Sequence, residues 1–82
     1  MNSPIRLPEV GAGAAPLSVS CWLADTGDLL DRGDPVVELV TFGSTFDGSA
    51  PVTGRLCRID KPLDTTVGVG DILGWIEPEP QA

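Results

Sequence analysis

Short apolar segments separated by turn residues set the pattern of this chain. The segments are rich in Val, Ile, Leu and Trp, and ten Gly and eight Pro interrupt them along the 82 residues. No segment is long enough for a helix of ordinary length, and β-branched and aromatic residues in short runs favour strands. The sequence therefore predicts an all-β domain, with strands at residues 4–7, 17–24, 29–30, 36–42, 45–52, 54–59, 66–67 and 72–77.

The clearest hairpin signal lies in the middle of the chain. Two apolar segments, residues 36–42 and 45–52, flank Gly43 and Ser44. A pair of small residues between two such segments suits a tight turn. We expect this turn to stand out at one end of the domain.

The two halves of the chain repeat one another. One constant shift in numbering carries Gly33-Asp34 onto Gly70-Asp71. The same shift pairs Trp22 with Ile59, Leu30 with Val67, Val36 with Leu73 and Leu39 with Ile76. Because neither half can cover its own apolar face, the two halves should interlock around one core.

The repeat leaves one question about the last strand open. Alternation places Val37 and Leu39 on one face of their strand and Glu38 on the other. The repeat nevertheless pairs Glu38 with the apolar Trp75. The pattern alone does not say which face of the last strand is solvated.

The net charge of the chain limits the kinds of molecule that it can bind. Twelve acidic and five basic residues give a net charge of -7, which repels nucleic acid and anionic membrane surfaces. A partner that binds this chain through charge should be basic. The alternative interpretation is that the negative charge only keeps a small domain soluble. No apolar run reaches the length of a membrane span, and residues 1–10 lack the apolar region of a secretory signal, so we expect a cytoplasmic protein.

Few residues here suit catalysis or metal binding. The chain has no histidine, the commonest general base and zinc ligand, and its two cysteines are expected to be reduced and packed. Aspartates at positions 25, 28, 31 and 34 recur at a regular spacing, but they lack the pattern of a calcium loop and two of them adjoin turn glycines. We therefore predict no catalytic residue and no metal site.

The hairpin region also resembles a known family. Residues 38–54 read ELVTFGSTFDGSAPVTG, close to the attachment hairpin of lipoyl domains, E-V-E-T-D-K-A-T-F-E-V-P-A-P-V-A-G. Residues 21–28, CWLADTGD, resemble the family's K-W-L-V-K-E-G-D, and residues 7–11, LPEVG, resemble its M-P-D-I-G. The resemblance covers roughly residues 5–77 and implies a flattened β-barrel of two four-stranded antiparallel sheets related by a pseudo-twofold axis. The domain is expected to span residues 1–77, and residues 78–82 are predicted to form a Pro/Glu-rich tail or the start of a linker.

The resemblance also defines what this chain lacks. The family's attachment lysine, whose amine is acylated by lipoate, corresponds to Gly43, and the aspartate before it corresponds to Phe42. The attachment turn at Phe42, Gly43 and Ser44 is therefore predicted to be vacant, with no cofactor. The resemblance implies a monomeric module that is not an enzyme by itself and acts through protein contacts related to 2-oxo acid dehydrogenase complexes.

Three alternatives remain. A genuine lipoyl domain of a dihydrolipoamide acyltransferase component would carry lipoate on an acyl-carrying arm. Its only candidate amine is Lys61, which we expect to be solvated and loosely paired with Asp60 or Asp64. A biotinyl domain would need a turn similar to A-M-K-M, which residues 41–44 do not supply. A barrel similar to those of transport adaptors would need a long insertion between the two halves, and here the halves are contiguous.

Phe42 invites two interpretations. With Phe46 it could form an apolar contact for a partner protein. Alternatively, Phe42 folds back over Phe46 as a cross-strand aromatic pair and only stiffens the turn.

Overall fold

In the computed structural model, which describes residues 1–7 and 16–79, the chain forms eight strands and, within those ranges, no helix. The strands are β1 (Ser3–Arg6), β2 (Leu17–Trp22), β3 (Leu29–Leu30), β4 (Pro35–Thr41), β5 (Ser44–Ser49), β6 (Gly54–Ile59), β7 (Thr66–Val67) and β8 (Ile72–Pro78). All eight predicted strands are present, and half of their ends move by one to three residues. In the described part of the chain, no helix could span a membrane.

The strands form two antiparallel sheets of four. Sheet A has the order β1-β8-β6-β3, and sheet B has the order β5-β4-β2-β7. The sequence repeat relates the sheets strand by strand, so that β8 matches β4 and β6 matches β2. The predicted flattened barrel with internal pseudo-twofold symmetry is therefore confirmed.

Symmetry extends to the irregularities of the sheets. The β2–β4 ladder shifts register between Val19 and Cys21, and the β6–β8 ladder shifts at the equivalent place, between Leu56 and Arg58. The β4–β5 and β1–β8 ladders carry a second matched pair of shifts. Because a bulge bends its strand and increases the twist, four bulges at equivalent places curve both sheets around a common core.

The core lies between the sheets and is apolar. Its most deeply buried side chains are Ile5, Leu7, Val19, Val36, Val37, Leu39, Leu56, Leu73 and Ile76. Members come from both halves of the repeat, as interlocking requires. At about 25 cal/mol per Å² of buried apolar surface, this cluster is the main source of stability.

The last strand has a definite solvated face. Gly74 and Ile76 are buried, whereas Trp75 is only half-buried and Glu77 is exposed, both on the outer face of the strand. Trp75 therefore occupies the same outer position as Glu38, as the repeat indicated. This settles the question that alternation left open.

The C-terminal end of the barrel is tied to the β5–β6 connection. Strand β8 runs to Pro78, one residue past the predicted end of the domain, and the Glu79 amide donates to the Thr53 carbonyl at 3.1 Å. The segment between the first two predicted strands, residues 8–15, which includes all of the LPEVG motif except Leu7, and the last three residues of the tail lie outside the described residues. The boundary between residues 77 and 78 stays a prediction.

Candidate functional site: the β4–β5 hairpin

The β4–β5 hairpin turns on two residues. Thr41 pairs with Ser44, which leaves Phe42 and Gly43 between them. Both have positive φ, 29° for Phe42 and 82° for Gly43. Positive φ at both central residues is the pattern of type I′ turns, whose twist matches that of the flanking strands.

The predicted turn at Gly43 and Ser44 was wrong by one residue. Ser44 is the first residue of β5, and Phe42 rather than Ser44 shares the turn with Gly43. A phenylalanine is unusual with positive φ, because its Cβ crowds the backbone there. The sequence analysis placed Phe42 at the end of a strand because it continues the apolar segment of residues 36–42.

Gly43 faces open space. A Cβ built on Gly43 would meet no other atom within 4 Å. Its φ nonetheless strains an L side chain, so a larger residue would fit sterically and still raise the energy of the turn.

Phe42 does not pack on the protein. Its side chain is 89% exposed, whereas Phe46 is half-buried against the core and pairs with Leu39 on β4. The alternative in which Phe42 folds back over Phe46 is therefore wrong. The tip of the hairpin presents an aromatic side chain to solvent.

Thr41, just before the turn, carries a second unusual feature. Its side chain is buried, and its Oγ1 has no hydrogen-bond partner among the residues that the structure describes. Burying a hydroxyl without a partner costs about 1–3 kcal/mol. No signal in the sequence indicated this, because inward alternation makes Thr41 resemble an ordinary core position.

Lys61 lies away from the hairpin, on the loop between β6 and β7. Its amide donates to the Leu73 carbonyl at 3.1 Å, and its carbonyl accepts the indole N–H of Trp22 at 2.8 Å. The expected pairing of Lys61 with Asp60 or Asp64 is not formed in the described structure. The Asp60 carboxylate instead forms an ion pair with Arg58.

The aspartates near turns serve the backbone. Asp28 accepts the Asp25 amide at 2.9 Å, and Asp34 accepts the Asp31 amide at 2.9 Å. Among the described residues, no three Cys, Asp or Glu side chains are grouped so that they could hold a metal ion. The regular spacing of the aspartates therefore reflects turn formation.

The two cysteines differ from expectation. Cys21 and Cys57 are free thiols, but both are exposed rather than packed. Each cysteine lies at the register shift of its ladder, where two successive residues of the strand are exposed.

Sequence reasoning also missed an outer-face cluster on sheet A. Asp60 accepts the indole N–H of Trp75 at 2.9 Å and also pairs with Arg58. The mismatch between Glu38 and Trp75 in the repeat was the only signal of this cluster in the sequence.

Comparison with known proteins places the chain in a family. The family described as Biotin-requiring enzyme matches residues 3–76. The chain belongs to this family of biotin/lipoyl attachment domains, and the resemblance to the lipoyl domains of acyltransferase components is confirmed.

Several relatives are subunits of 2-oxo acid dehydrogenase complexes. The dihydrolipoyllysine-residue succinyltransferase component of the 2-oxoglutarate dehydrogenase complex of Bartonella vinsonii subsp. berkhoffii is 32% identical over 77 residues, which are 94% of this chain and 19% of the relative. The dihydrolipoyllysine-residue acetyltransferase component of the pyruvate dehydrogenase complex of Mycobacterium bovis is 34% identical over 73 residues, 89% of this chain and 13% of the relative. The lipoamide acyltransferase component of the branched-chain alpha-keto acid dehydrogenase complex of Pseudomonas putida is 27% identical over 75 residues, 92% of this chain and 18% of the relative.

These relatives are much longer than this chain. The chain spans less than a fifth of the length of each of the three. The similarity therefore concerns one domain of each relative.

Proposed function

We propose that this chain is a lipoyl-domain-like module that carries no lipoate and acts through protein contacts related to 2-oxo acid dehydrogenase complexes. The observation that supports it most is the residue at the tip of the hairpin. Gly43 corresponds to the family's attachment lysine and has no side chain, and neither Phe42 nor Ser44 offers a primary amine.

The residues present do not fit a lipoyl group. An amide bond to lipoate requires a primary amine, and the only lysine of the chain, Lys61, lies on the β6–β7 loop with its backbone bonded to Leu73 and Trp22. In this interpretation the domain has no catalytic residue of its own, because in the family the chemistry belongs to the cofactor.

The exposed Phe42 supports a role in contacts. A bulky residue with positive φ costs stability, and here that cost is not offset by packing, since the ring is 89% exposed. Strained residues of this kind occur preferentially at functional sites. Phe42 is therefore the proposed anchor for a partner, with the half-buried Phe46 supporting the hairpin beneath it.

The absence of lipoylation is tested by intact mass. The chain is co-expressed with a lipoate–protein ligase and supplied with lipoate, and a genuine lipoyl domain from one of the relatives serves as the positive control. We expect an unmodified mass for this chain. A lipoyl increment, mapped to Lys61 by peptide sequencing, would instead establish the swinging-arm carrier.

A gain-of-function variant tests the hairpin separately. Gly43→Lys restores an amine at a position where an added side chain meets no other atom within 4 Å. We expect the variant to accept lipoate, whereas Ser49→Lys, an exposed position on β5 away from the turn, should not. If neither variant is modified, the turn does not present residue 43 as the family presents its lysine.

The proposed role of Phe42 as an anchor for a partner protein is tested by measuring binding to dehydrogenase complexes. A purified pyruvate dehydrogenase complex and a purified 2-oxoglutarate dehydrogenase complex serve as probes, and Phe42→Ser is compared with Leu63→Ser, which removes an exposed apolar side chain elsewhere. We expect Phe42→Ser alone to weaken binding, by about tenfold for the loss of one aromatic anchor. Equal binding by the wild type and Phe42→Ser would refute the anchor.

A further inference from the structure

The outer face of sheet A carries a second, separate surface. Its centre is Trp75 on β8, with Pro4 of β1 directly across on one side and Arg58 of β6 on the other. A surface pocket of about 300 Å³ lies here, lined by Asn2, Arg58 and Trp75. We call this surface, formed by Asn2, Pro4, Arg58 and Trp75, the Trp75 face.

One carboxylate fixes the two main side chains of this face. Asp60 Oδ2 accepts the Trp75 indole N–H at 2.9 Å, and Asp60 Oδ1 pairs with Nε of Arg58. The Arg58 side chain is still 72% exposed, and the ion pair through Nε leaves its terminal nitrogens for another acceptor. Indole and guanidinium are therefore ordered before any ligand arrives, which lowers the entropy cost of binding.

The internal symmetry provides a control for the structural role of these residues. On sheet B the positions equivalent to Trp75, Arg58 and Pro4 are held by Glu38, Cys21 and Asp47, in the same cross-strand order. The fold thus forms with a carboxylate, that of Glu38, at the position equivalent to the Trp75 indole. The packing of the barrel therefore does not by itself require Trp75 and Arg58 on sheet A.

Charge separates the two outer faces. The strands of sheet A contain Arg6, Arg55 and Arg58 with a single acidic residue, Glu77. The strands of sheet B contain two acidic residues and no basic one. The net charge of the chain favours a basic partner, but the strands of sheet A carry more basic than acidic residues, and tryptophan with arginine is the composition enriched at interface centres.

We propose that the Trp75 face binds an extended acidic polypeptide segment that also carries apolar side chains. A carboxylate of the segment accepts hydrogen bonds from the terminal nitrogens of Arg58, and an adjacent apolar side chain packs on the Trp75 ring and Pro4. This surface lies on the sheet that does not contain the β4–β5 hairpin, so the proposal does not depend on the function proposed for Phe42.

The test uses the full chain and a short synthetic peptide of alternating glutamate and leucine. Binding is followed through the two indole N–H signals in nitrogen-15 correlation spectra, where Trp22, bonded to Lys61, is an internal reference for Trp75. An ionic strength of about 0.15 M limits long-range repulsion from the net charge, since screening then acts over about 8 Å. We expect saturable shifts at Trp75 with a Kd below about 1 mM, and unchanged signals at Trp22 and at the Gly43 amide.

Two comparison peptides and two variants define the chemistry. Peptides of alternating lysine and leucine, or glutamate and serine, should bind more weakly, because each lacks one of the two contacts. Arg58→Gln should weaken binding of the glutamate–leucine peptide about tenfold, the effect of one charge-assisted hydrogen bond, whereas Arg32→Gln, at an exposed arginine in the turn between β3 and β4, should not.

Three binding results with the unmodified chain would overturn the proposal. They are the absence of any shift at Trp75, equal or tighter binding of the lysine–leucine peptide, and shifts that centre on Gly43 instead of Trp75. An effect of Arg32→Gln equal to that of Arg58→Gln would do the same, since it would reduce the interaction to net charge.

Discussion

Asp34 and Asp71 perform the same task in the two halves of the barrel. Asp34 accepts the Asp31 amide at 2.9 Å, and Asp71 accepts the Gly68 amide at 2.8 Å. A backbone hydrogen bond joins the same residues in the opposite direction. The amide of Asp34 donates to the Asp31 carbonyl, and the amide of Asp71 donates to the Gly68 carbonyl, both at 3.0 Å. Two turns distant in sequence are thus closed by the same pair of hydrogen bonds.

This relationship predicts equal losses at the two turns. Asp34→Ala and Asp71→Ala should each lower the free energy of unfolding by about 1 kcal/mol, since each removes one hydrogen bond to a backbone amide. Asp34→Asn keeps an acceptor oxygen and should lose less. Urea titration measures the three variants, and an Asp34→Asn loss as large as that of Asp34→Ala would contradict the role assigned to the hydrogen bond.

Gly54 is predicted to resist any side chain. A Cβ at this position would lie 2.2 Å from the Glu77 carbonyl oxygen and 2.8 Å from Cγ2 of Ile76. Because a backbone atom cannot move aside cheaply, Gly54→Ala should destabilise the fold by about 1–3 kcal/mol or more. Gly68→Ala is the control, since its Cβ meets nothing within 4 Å, and thermal unfolding should show a large decrease in Tm for the first variant alone.

Thr41 is predicted to be replaceable with a gain in stability. Thr41→Val keeps the shape of the side chain and removes the buried hydroxyl that has no partner in the described structure, so the free energy of unfolding should rise by about 1 kcal/mol. Thr45→Val, at an exposed position across from Val40, should change it by less than about 0.5 kcal/mol. A loss of stability in Thr41→Val would show that the hydroxyl has a partner.

The two phenylalanines of the hairpin should respond in opposite directions. Phe42→Asn introduces a residue that tolerates positive φ at a site with no packing to lose, and should stabilise the chain by about 0.5–1 kcal/mol. Phe46→Ala removes a half-buried ring that packs on the core, and should cost about 1–3 kcal/mol. Chemical denaturation of both variants tests this, and destabilisation by Phe42→Asn would mean that the ring supports the turn.

The prediction of the fold succeeded because its signals are local or repetitive. Glycine and proline interrupt the chain at every turn, and Gly33-Asp34 recurs as Gly70-Asp71, so both the strand number and the relation between halves could be predicted. The hairpin turn was misplaced by one residue, since the sequence favoured the small Ser44 in a turn and the structure uses Phe42. The pairing register of β4 and β5 decided the position of this turn, against the local preference for small residues, because the inward side chains of both strands fix the register.

The sequence by itself determined the class of fold, the repeat that relates the two sheets and the presence of glycine at position 43. Tertiary structure alone decided that Phe42 is exposed, that the Thr41 hydroxyl lacks a partner among the described residues and that Asp60 joins Trp75 to Arg58. The physical reason is the range of the interactions involved. Turns and alternation depend on neighbours in the chain, whereas burial and hydrogen bonding of these side chains depend on which strands the barrel brings together.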